Sequence, residues 1–433
     1  MRINRLHKLG FDRVSPIRIA PGFAAVLVIA CFAVSGAYAE PCENAAAVSR
    51  EATRFLITGN PLKALELLKD HHVSQCARTK SISAIVYAQL GDYQRADEIG
   101  GAYEPGHDAT CSAEPRLADV KDWREALDER LSEAKIVVIN ELHYRPSNRA
   151  FAELVLQELA KKGFKYFAAE ELNPLSVRNI KARGWAGVGD SPGLNEPVFA
   201  SLVTKAQRLG YELVNYEWLQ NVQPSTGDPR NDREHFQAAN IIAATIAKDP
   251  TAKVIVYAGP GHAREDKGEP PFPTLYMAGW LKKLSRVDPF TISQSACPPL
   301  VMDRQKDRSA FVVVKDGKES ANGVFDVIVR ETAPFPSPDA WPEWFVKIGR
   351  LPVKVPLEAS AVLDSGDFVA EARAASAPAQ STPYDRVLIE DGRPVRRLAL
   401  SPGDYVVSVS NADGEVVQSE KLRVDRDGAA SAY

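Results

Sequence analysis

Two histidines stand where a folded chain tends to place its chemistry. Asn140-Glu141-Leu142-His143 follows the apolar run Ile136-Val137-Val138-Ile139, and Gly259-Pro260-Gly261-His262 follows the run Val254-Ile255-Val256-Tyr257-Ala258. In both, a strand-like run ends and a histidine comes within four residues. Ligand and catalytic groups of open α/β sheets sit just outside the carboxyl ends of strands. Two such histidines can therefore meet in one crevice although they are far apart in sequence. Glu141 lies on the same turn as His143, and Glu170 follows a third strand-like run, Phe164–Ala169. Imidazole with carboxylate suits two chemistries. His143, Glu141, Glu170 and His262 could ligate a divalent transition metal. Without metal, a histidine oriented by a carboxylate is a general base for water.

Taken singly, each residue has a plainer reading. Glu141 could cap the helix that follows it, and Glu170-Glu171 could be a solvated pair. Their recurrence at corresponding strand ends favours a site. Arg145 and Arg149 follow His143, while Arg230 and Arg233 precede the last motif; a guanidinium in the crevice would hold a carboxylate or an oxyanion. Arg233, at the start of an expected helix, is the candidate for that role. His235 reads as structural, and His71-His72 lie in a helical region where a functional role has little support.

The elements that must position these groups alternate. A helix is expected over 117–134, a strand over 135–139, a helix over 151–162 stopped by Gly163, and a strand over 164–169. A helix over 199–209, a strand over 211–214, a helix over 233–248, a strand over 253–258, a helix over 275–284 and a strand at 289–292 follow. Strand and helix in alternation predict βα units and an α/β fold with a mostly parallel sheet flanked by helices, spanning 113–345.

Either side of this region the pattern changes. Residues 40–112 read as a helical-repeat segment. Gly59-Asn60-Pro61-Leu62-Lys63-Ala64 is echoed 32 residues later by Gly91-Asp92-Tyr93-Gln94-Arg95-Ala96, near the period of tetratricopeptide repeats. Two such hairpins cannot easily close a core alone, so docking on the next domain is expected, as a structural cap or as a groove for a protein partner. Residues 350–433 alternate in short strands with turn signals, and Asn411-Ala412-Asp413-Gly414 marks a hairpin. This predicts a small β-sandwich, an accessory or partner-binding module, similar to the carboxypeptidase-regulatory-like modules of exported proteins.

Residues 1–39 read as a cleaved signal peptide: five basic residues, the apolar stretch Phe23–Val34, then Ala37-Tyr38-Ala39. The expected location is therefore the periplasm or the medium, with no membrane span after cleavage. Cleavage takes the net charge from −3 to −7, and no basic cluster suggests nucleic acid. Apolar residues make 45% of the chain and charged ones 25%, enough for a real core. Of the remaining cysteines, Cys42, Cys76 and Cys111 flank the helical segment and Cys297 stands apart. Two of the first three are expected to form a disulfide.

The motifs together resemble the superfamily of erythromycin esterases, ChaN-like haem-binding proteins and Tiki/TraB proteins. Its members share a strand followed by Gly-Glu-x-His, a strand ending in Glu, an Arg-Asp/Glu helix start, and a strand followed by Gly-x-x-His. Here these are Asn140–His143, Phe167–Glu170, Arg233-Glu234 and Gly259–His262, covering about residues 115–305. Asn140 stands at the usual glycine, a position where asparagine tolerates a left-handed backbone. The resemblance implies hydrolysis of an ester or amide bond in a small-molecule or peptide substrate, with or without metal, or else haem binding without turnover. His143 would be base or ligand, Glu141 and Glu170 ligands or orienting carboxylates, His262 a second base or ligand, and Arg233 an anchor for substrate or developing charge.

Overall fold

The structure, a computed structural model, describes residues 44–70, 76–101, 111, 117–217, 228–266, 274–302, 310–314, 324–334, 341–356, 366–390 and 397–432. The signal-peptide reading, Cys42, His71, His72 and His107 lie outside these. The described chain begins with four helices: α1 (Ala45–Ile57), α2 (Pro61–Asp70), α3 (Ala77–Gln89) and α4 (Tyr93–Gly101). Gly59 and Gly91, the echoed glycines, both take left-handed φ of 77° and 72° just after α1 and α3. That backbone is what ends each first helix of a pair and turns the chain into the second.

The α/β region follows. Its strands are β1 (Val120–Asp122), β2 (Ile136–Asn140), β3 (Tyr166–Ala169), β4 (Glu212–Val214), β5 (Val254–Ala258), β6 (Phe290–Ser293), β7 (Leu300–Met302), β8 (Phe311–Val314) and β9 (Val327–Pro334). Its helices are α5 (Trp123–Glu133), α6 (Pro146–Lys161), α7 (Pro174–Arg183), α8 (Pro197–Arg208), α9 (Pro229–Ala244), α10 (Met277–Ser285) and α11 (Glu343–Lys347). The strands form one sheet in the order β1-β8-β9-β6-β2-β5-β3-β4, with β7 beside β9. From β9 to β4 the neighbours run parallel; β8 and β1 add an antiparallel edge.

β2 and β5 are buried along their whole length, as continuous apolar runs in the middle of a parallel sheet must be. Alternate residues go to opposite faces. Val137, Ile139, Phe167, Ile255 and Tyr257 pack with Trp123, Phe151 and Phe199 under α5, α6 and α8. Ile136, Val138, Ala168, Val254 and Val256 pack with Ile241, Met277 and Leu281 under α9 and α10. The register is what matters for function. Asn140 lies opposite Ala258 and Ala169 opposite Tyr257, so β2, β5 and β3 end level and their following loops leave at one rim.

Residues 351–432 form two antiparallel sheets over one core: β10 (Leu351–Lys354) with β13 (Arg397–Leu400), and β12 (Asp385–Ile389), β11 (Phe368–Ala374), β14 (Gly403–Ser410), β15 (Val416–Val424) and β16 (Ala430–Ala432) side by side. The expected hairpin joins β14 to β15: Asn411 Oδ1 accepts from the amides of Asp413 at 3.1 Å and Glu415 at 2.9 Å, and Gly414 takes φ 85°.

Several expectations are corrected here. The helix expected over 117–134 starts only at Trp123, because Val120–Asp122 is drawn into the sheet as a partner of β8 and Asp122 then caps α5 through the Arg124 amide. The helical pairs pack against the C-terminal module as well as the α/β region: Leu62, Leu65, Ile82 and Leu90 share a core with Val369, Leu388 and Ala412. The Leu388 amide donates to Leu90 O at 2.8 Å. Gln89 reaches Pro192 O at 2.9 Å in the α/β region. Of the three N-terminal cysteines, Cys111 bonds outside the group, and of the two that remain Cys42 lies outside the described residues. Cys111 pairs with Cys297, 186 residues away and with Cα atoms 5.7 Å apart. Among the described residues no helix is long and apolar enough to cross a membrane.

Candidate active site

The rim above β2, β5 and β3 gathers the candidate groups. The ladder runs on past the strand ends: the Glu141 amide donates to Ala258 O at 2.8 Å and the Glu170 amide to Tyr257 O at 3.1 Å. Glu141 and Glu170 thus flank the last residues of β5 on either side. Asn140 is not left-handed, as the glycine comparison suggested. Among the described residues only Asn44 and Arg286 are non-glycine residues at positive φ. Asn140 is instead the final residue of β2, fully buried, and its side chain bonds across to the loop after β6.

Glu141 is saturated. Its Oε1 accepts from His143 Nδ1 at 2.9 Å and Arg149 Nη2 at 3.1 Å, and its Oε2 from Arg149 Nε and the Tyr257 hydroxyl, each at 2.7 Å. Arg149 also binds Glu196 at 2.7 Å, which caps α8 through the amides of Val198 and Phe199. The imidazole of His143 is thereby held by Nδ1, and among the described residues its Nε2 has no hydrogen-bond partner. His143 keeps 20% of its side chain exposed, against 3% for Glu141.

The second histidine is held in the same manner. His262 Nδ1 meets Glu234 Oε2 at 2.8 Å, and that oxygen also accepts from the Met277 amide at the start of α10, at 2.8 Å. On its other side His262 Nε2 lies 3.2 Å from Glu170 Oε1 and 3.0 Å from Arg233 Nη1. Arg233, from α9, donates to Glu170 Oε1 and Glu217 Oε1, each at 2.7 Å.

The two halves meet at Gly259. Its amide donates to Glu170 Oε2 at 2.7 Å. A Cβ at this position would lie 3.0 Å from His143 Nε2 and 3.1 Å from Glu170 Oε2. Any side chain here would press on both His143 and Glu170, so glycine serves for room rather than for its backbone angles. His143 and Glu170 approach each other over Gly259, Glu170 in turn joins His262 and Arg233, and Glu141 lies directly behind His143. All five residues singled out in the sequence are in this cluster.

The charges are strongly coupled. Burial alone would raise the Glu141 carboxyl, but Arg149 and His143 outweigh it and hold it down to about 2. Glu170 is likewise held well below the usual range against burial, by His262, Arg233 and His143. Burial disfavours the His143 cation, yet Glu141 and Glu170 raise its pKa above 6.5. For His262 burial again opposes, and Glu234 and Glu170 carry the pKa up to about 10, so it is an imidazolium at neutral pH. In that state it donates to both carboxylates, and Arg233 is left to Glu170 and Glu217.

The donor set does not fit a metal ion. Glu141 spends every lone pair on Arg149, His143 and Tyr257. The place between Glu170, Glu217 and His262 is taken by the Arg233 guanidinium, which supplies the positive charge itself. Among the described residues no group of three or more His, Cys, Asp or Glu side chains is arranged as ligands. His262 Nε2 faces Arg233 and offers no open nitrogen to a haem iron, so among the described residues the one open imidazole nitrogen of the cluster is His143 Nε2.

Some members of the cluster escaped the sequence. Glu217 comes three residues after β4, the same strand-end signal that marked Glu170. Glu234 was noticed only as a neighbour of Arg233. Tyr257 lies inside a strand, where it reads as core. Of the other arginines, Arg149 belongs to the site, but Arg145 turns away to Asp97 on α4 at 2.7 Å. His235 packs edge-on to Trp280, as a structural residue would.

No family model and no curated protein matches the chain. Among solved structures, the type III effector HopBA1 is 13% identical over 52% of this chain and 99% of its own, with a TM-score of 0.33. RRSP, a MARTX toxin effector domain from Vibrio vulnificus, is 18% identical over 56% of this chain and 55% of its own, with a TM-score of 0.30. A structure described as bacterial protein toxins is 16% identical over 53% and 47%, again at 0.30. The chain spans about half the length of these last two. At such scores the likeness bears on neither fold nor activity.

Proposed function

We propose that the protein is a hydrolase of ester or amide bonds that activates water with His143 and works without a metal. The observation that carries this reading is the pair of histidine–carboxylate dyads, Glu141–His143 and Glu234–His262, brought to one rim by adjacent parallel strands. In the neutral form His143 keeps its Nδ1 proton on Glu141, which fixes the tautomer that leaves Nε2 as acceptor. Nε2 takes a proton from water, and the hydroxide attacks the carbonyl carbon. The oxyanion develops beside Arg233 and His262, two fixed cations in a partly buried site, where such stabilisation is strongest. His143 then returns the proton to the leaving oxygen or nitrogen, and the products are a carboxylic acid and an alcohol or amine. His262 serves as a cation here rather than as a second base, because its two carboxylates keep it protonated.

The motif order that suggests kinship with the erythromycin esterase, ChaN-like and Tiki group rests on the same residues, and we extend the proposal to that kinship and to export through the N-terminal leader. The substrate is a small molecule or peptide. The test is turnover of a panel of carboxylic esters and peptides by the purified chain and by His143→Ala and His262→Ala. Both variants should lose at least about a hundredfold in kcat/KM. Equal turnover by His143→Ala and the parent chain would remove the reading.

A further inference from the structure

The His143 turn is gripped from a direction that the proposed reaction does not require. Three consecutive residues at the end of β6, Ser293-Gln294-Ser295, hold both ends of it. Asn140 Nδ2 donates to Ser293 Oγ at 3.1 Å and Ser295 Oγ at 2.9 Å, and Asn140 Oδ1 accepts from the Gln294 amide at 2.7 Å. The Gln294 side chain then spans the turn: its Nε2 donates to Asn140 O at 2.8 Å and to Asn148 O at 3.2 Å, in the first turn of α6. Asn148 closes the ring, its Oδ1 accepting the Leu142 amide at 2.9 Å. Glu141, Leu142 and His143 are enclosed by these bonds, and Gln294 is buried.

Two residues beyond Ser295 is Cys297, also buried, which is bonded to Cys111. Cys111 follows α4, and α4 holds the turn from its far side. Gly100 leaves room for the Tyr144 ring, with which any side chain there would collide, and Asp97 binds Arg145. The disulfide therefore anchors the stretch that carries Gln294, at a point two residues past Ser295, to Cys111.

We infer that Asn140 and Gln294 are positioning residues for the His143 turn and that the Cys111–Cys297 disulfide latches them, so that the site is competent in the oxidised chain and loosens on reduction. The step requires a dithiol reductant. One thiolate attacks a sulfur of the pair, the second thiol resolves the mixed disulfide, Cys111 and Cys297 take up two electrons and two protons as thiols, and the reductant leaves as its own disulfide. Loss of the latch frees the loop after β6, and the His143 imidazole loses its fixed placement over Gly259. A misplacement of about 1 Å at a reacting group costs up to about a hundredfold in rate.

The kinetic part of the test rests on the hydrolase reading; the exchange part does not. Hydrogen exchange is measured on the purified chain when oxidised, after dithiothreitol under native conditions, as Gln294→Ala, and as the Cys111→Ser/Cys297→Ser double variant. Should the double variant fail to fold, reduction in place and Gln294→Ala suffice. Peptides over 136–148 should exchange about tenfold faster in each loosened form, while those over 403–424 stay unchanged. In turnover, kcat should fall about tenfold with KM within about twofold, and reoxidation should restore it. Unchanged exchange over 136–148, in both the reduced chain and Gln294→Ala, overturns the latch whatever the kinetics. Equal acceleration over 403–424 overturns it as well, since the bond would then be holding the whole fold. Faster exchange over 136–148 in a chain that hydrolyses nothing upholds the latch and removes the hydrolase reading.

Discussion

Arg149 shows how the site is held up from below. One guanidinium, almost fully buried, neutralises both Glu141 and Glu196, and without it two carboxylates are left uncompensated. Arg149→Ala should therefore cost about 3–5 kcal/mol in stability, read as a lowered urea midpoint. Gly259→Ala is the sharper probe of chemistry. It adds one methyl that His143 and Glu170 must shift by a few tenths of an ångström to admit, so activity should fall about tenfold while the fold survives. The same charges set the pH response. With His143 raised above 6.5, the base form appears only on the alkaline side of that value. His262 loses its proton near 10, so kcat/KM should be bell-shaped between these limbs. For stability, Glu141 titrates below its ordinary 4.5. Its contribution is full above that value and is lost as pH falls through about 2. The His262 contribution has the opposite sign: it is full below 6.5 and lost as pH rises through about 10. Acid and alkaline unfolding curves on the parent chain and His262→Ala check both.

At the level of elements, β2 and β5 were legible because a central parallel strand is an unbroken apolar run, and the two histidines were legible because they directly follow such runs. Glu170 was found for the same reason. Adjacency was not legible: nothing in the residues from 136 to 258 says that β5 inserts between β2 and β3, yet that insertion brings His262 beside Glu170. The antiparallel edge was also hidden. Val120–Asp122 is too short to show alternation, and it is a strand only because β8 offers it a ladder. α7 went unseen because Leu175 and most of its neighbours face solvent, which leaves little periodic signal, although Asn173 and Ser176 form a capping box at its start. The Cys111–Cys297 bond was hidden because proximity in the fold leaves no mark on spacing. An element-level prediction follows from the cap on α8. Glu196→Gln keeps an acceptor for the Val198 and Phe199 amides but removes the charge facing Arg149. It should cost less stability than Arg149→Ala and more activity than a surface substitution, both measurable on one preparation.

Over the whole molecule, the helical pairs, the α/β sheet and the C-terminal module share interfaces rather than hanging as beads. The repeat segment, which alone could not close a core, completes itself with Val369 and Leu388 from strands more than 270 residues downstream. Leu388→Ala should cost about 2–5 kcal/mol and should lower the melting of α1–α4 and of the module together, as followed by exchange in both segments. Independent melting would mean that the contact is incidental. The central claim concerns two histidines and one reaction, and a double-mutant cycle addresses it most directly. With kcat/KM measured for the parent chain, His143→Ala, His262→Ala and the double variant on one ester substrate, the account predicts strong coupling: the double variant should be scarcely worse than the poorer single one. Losses that simply multiply, or a single variant that keeps full activity, would show that the two imidazoles do not serve the same bond.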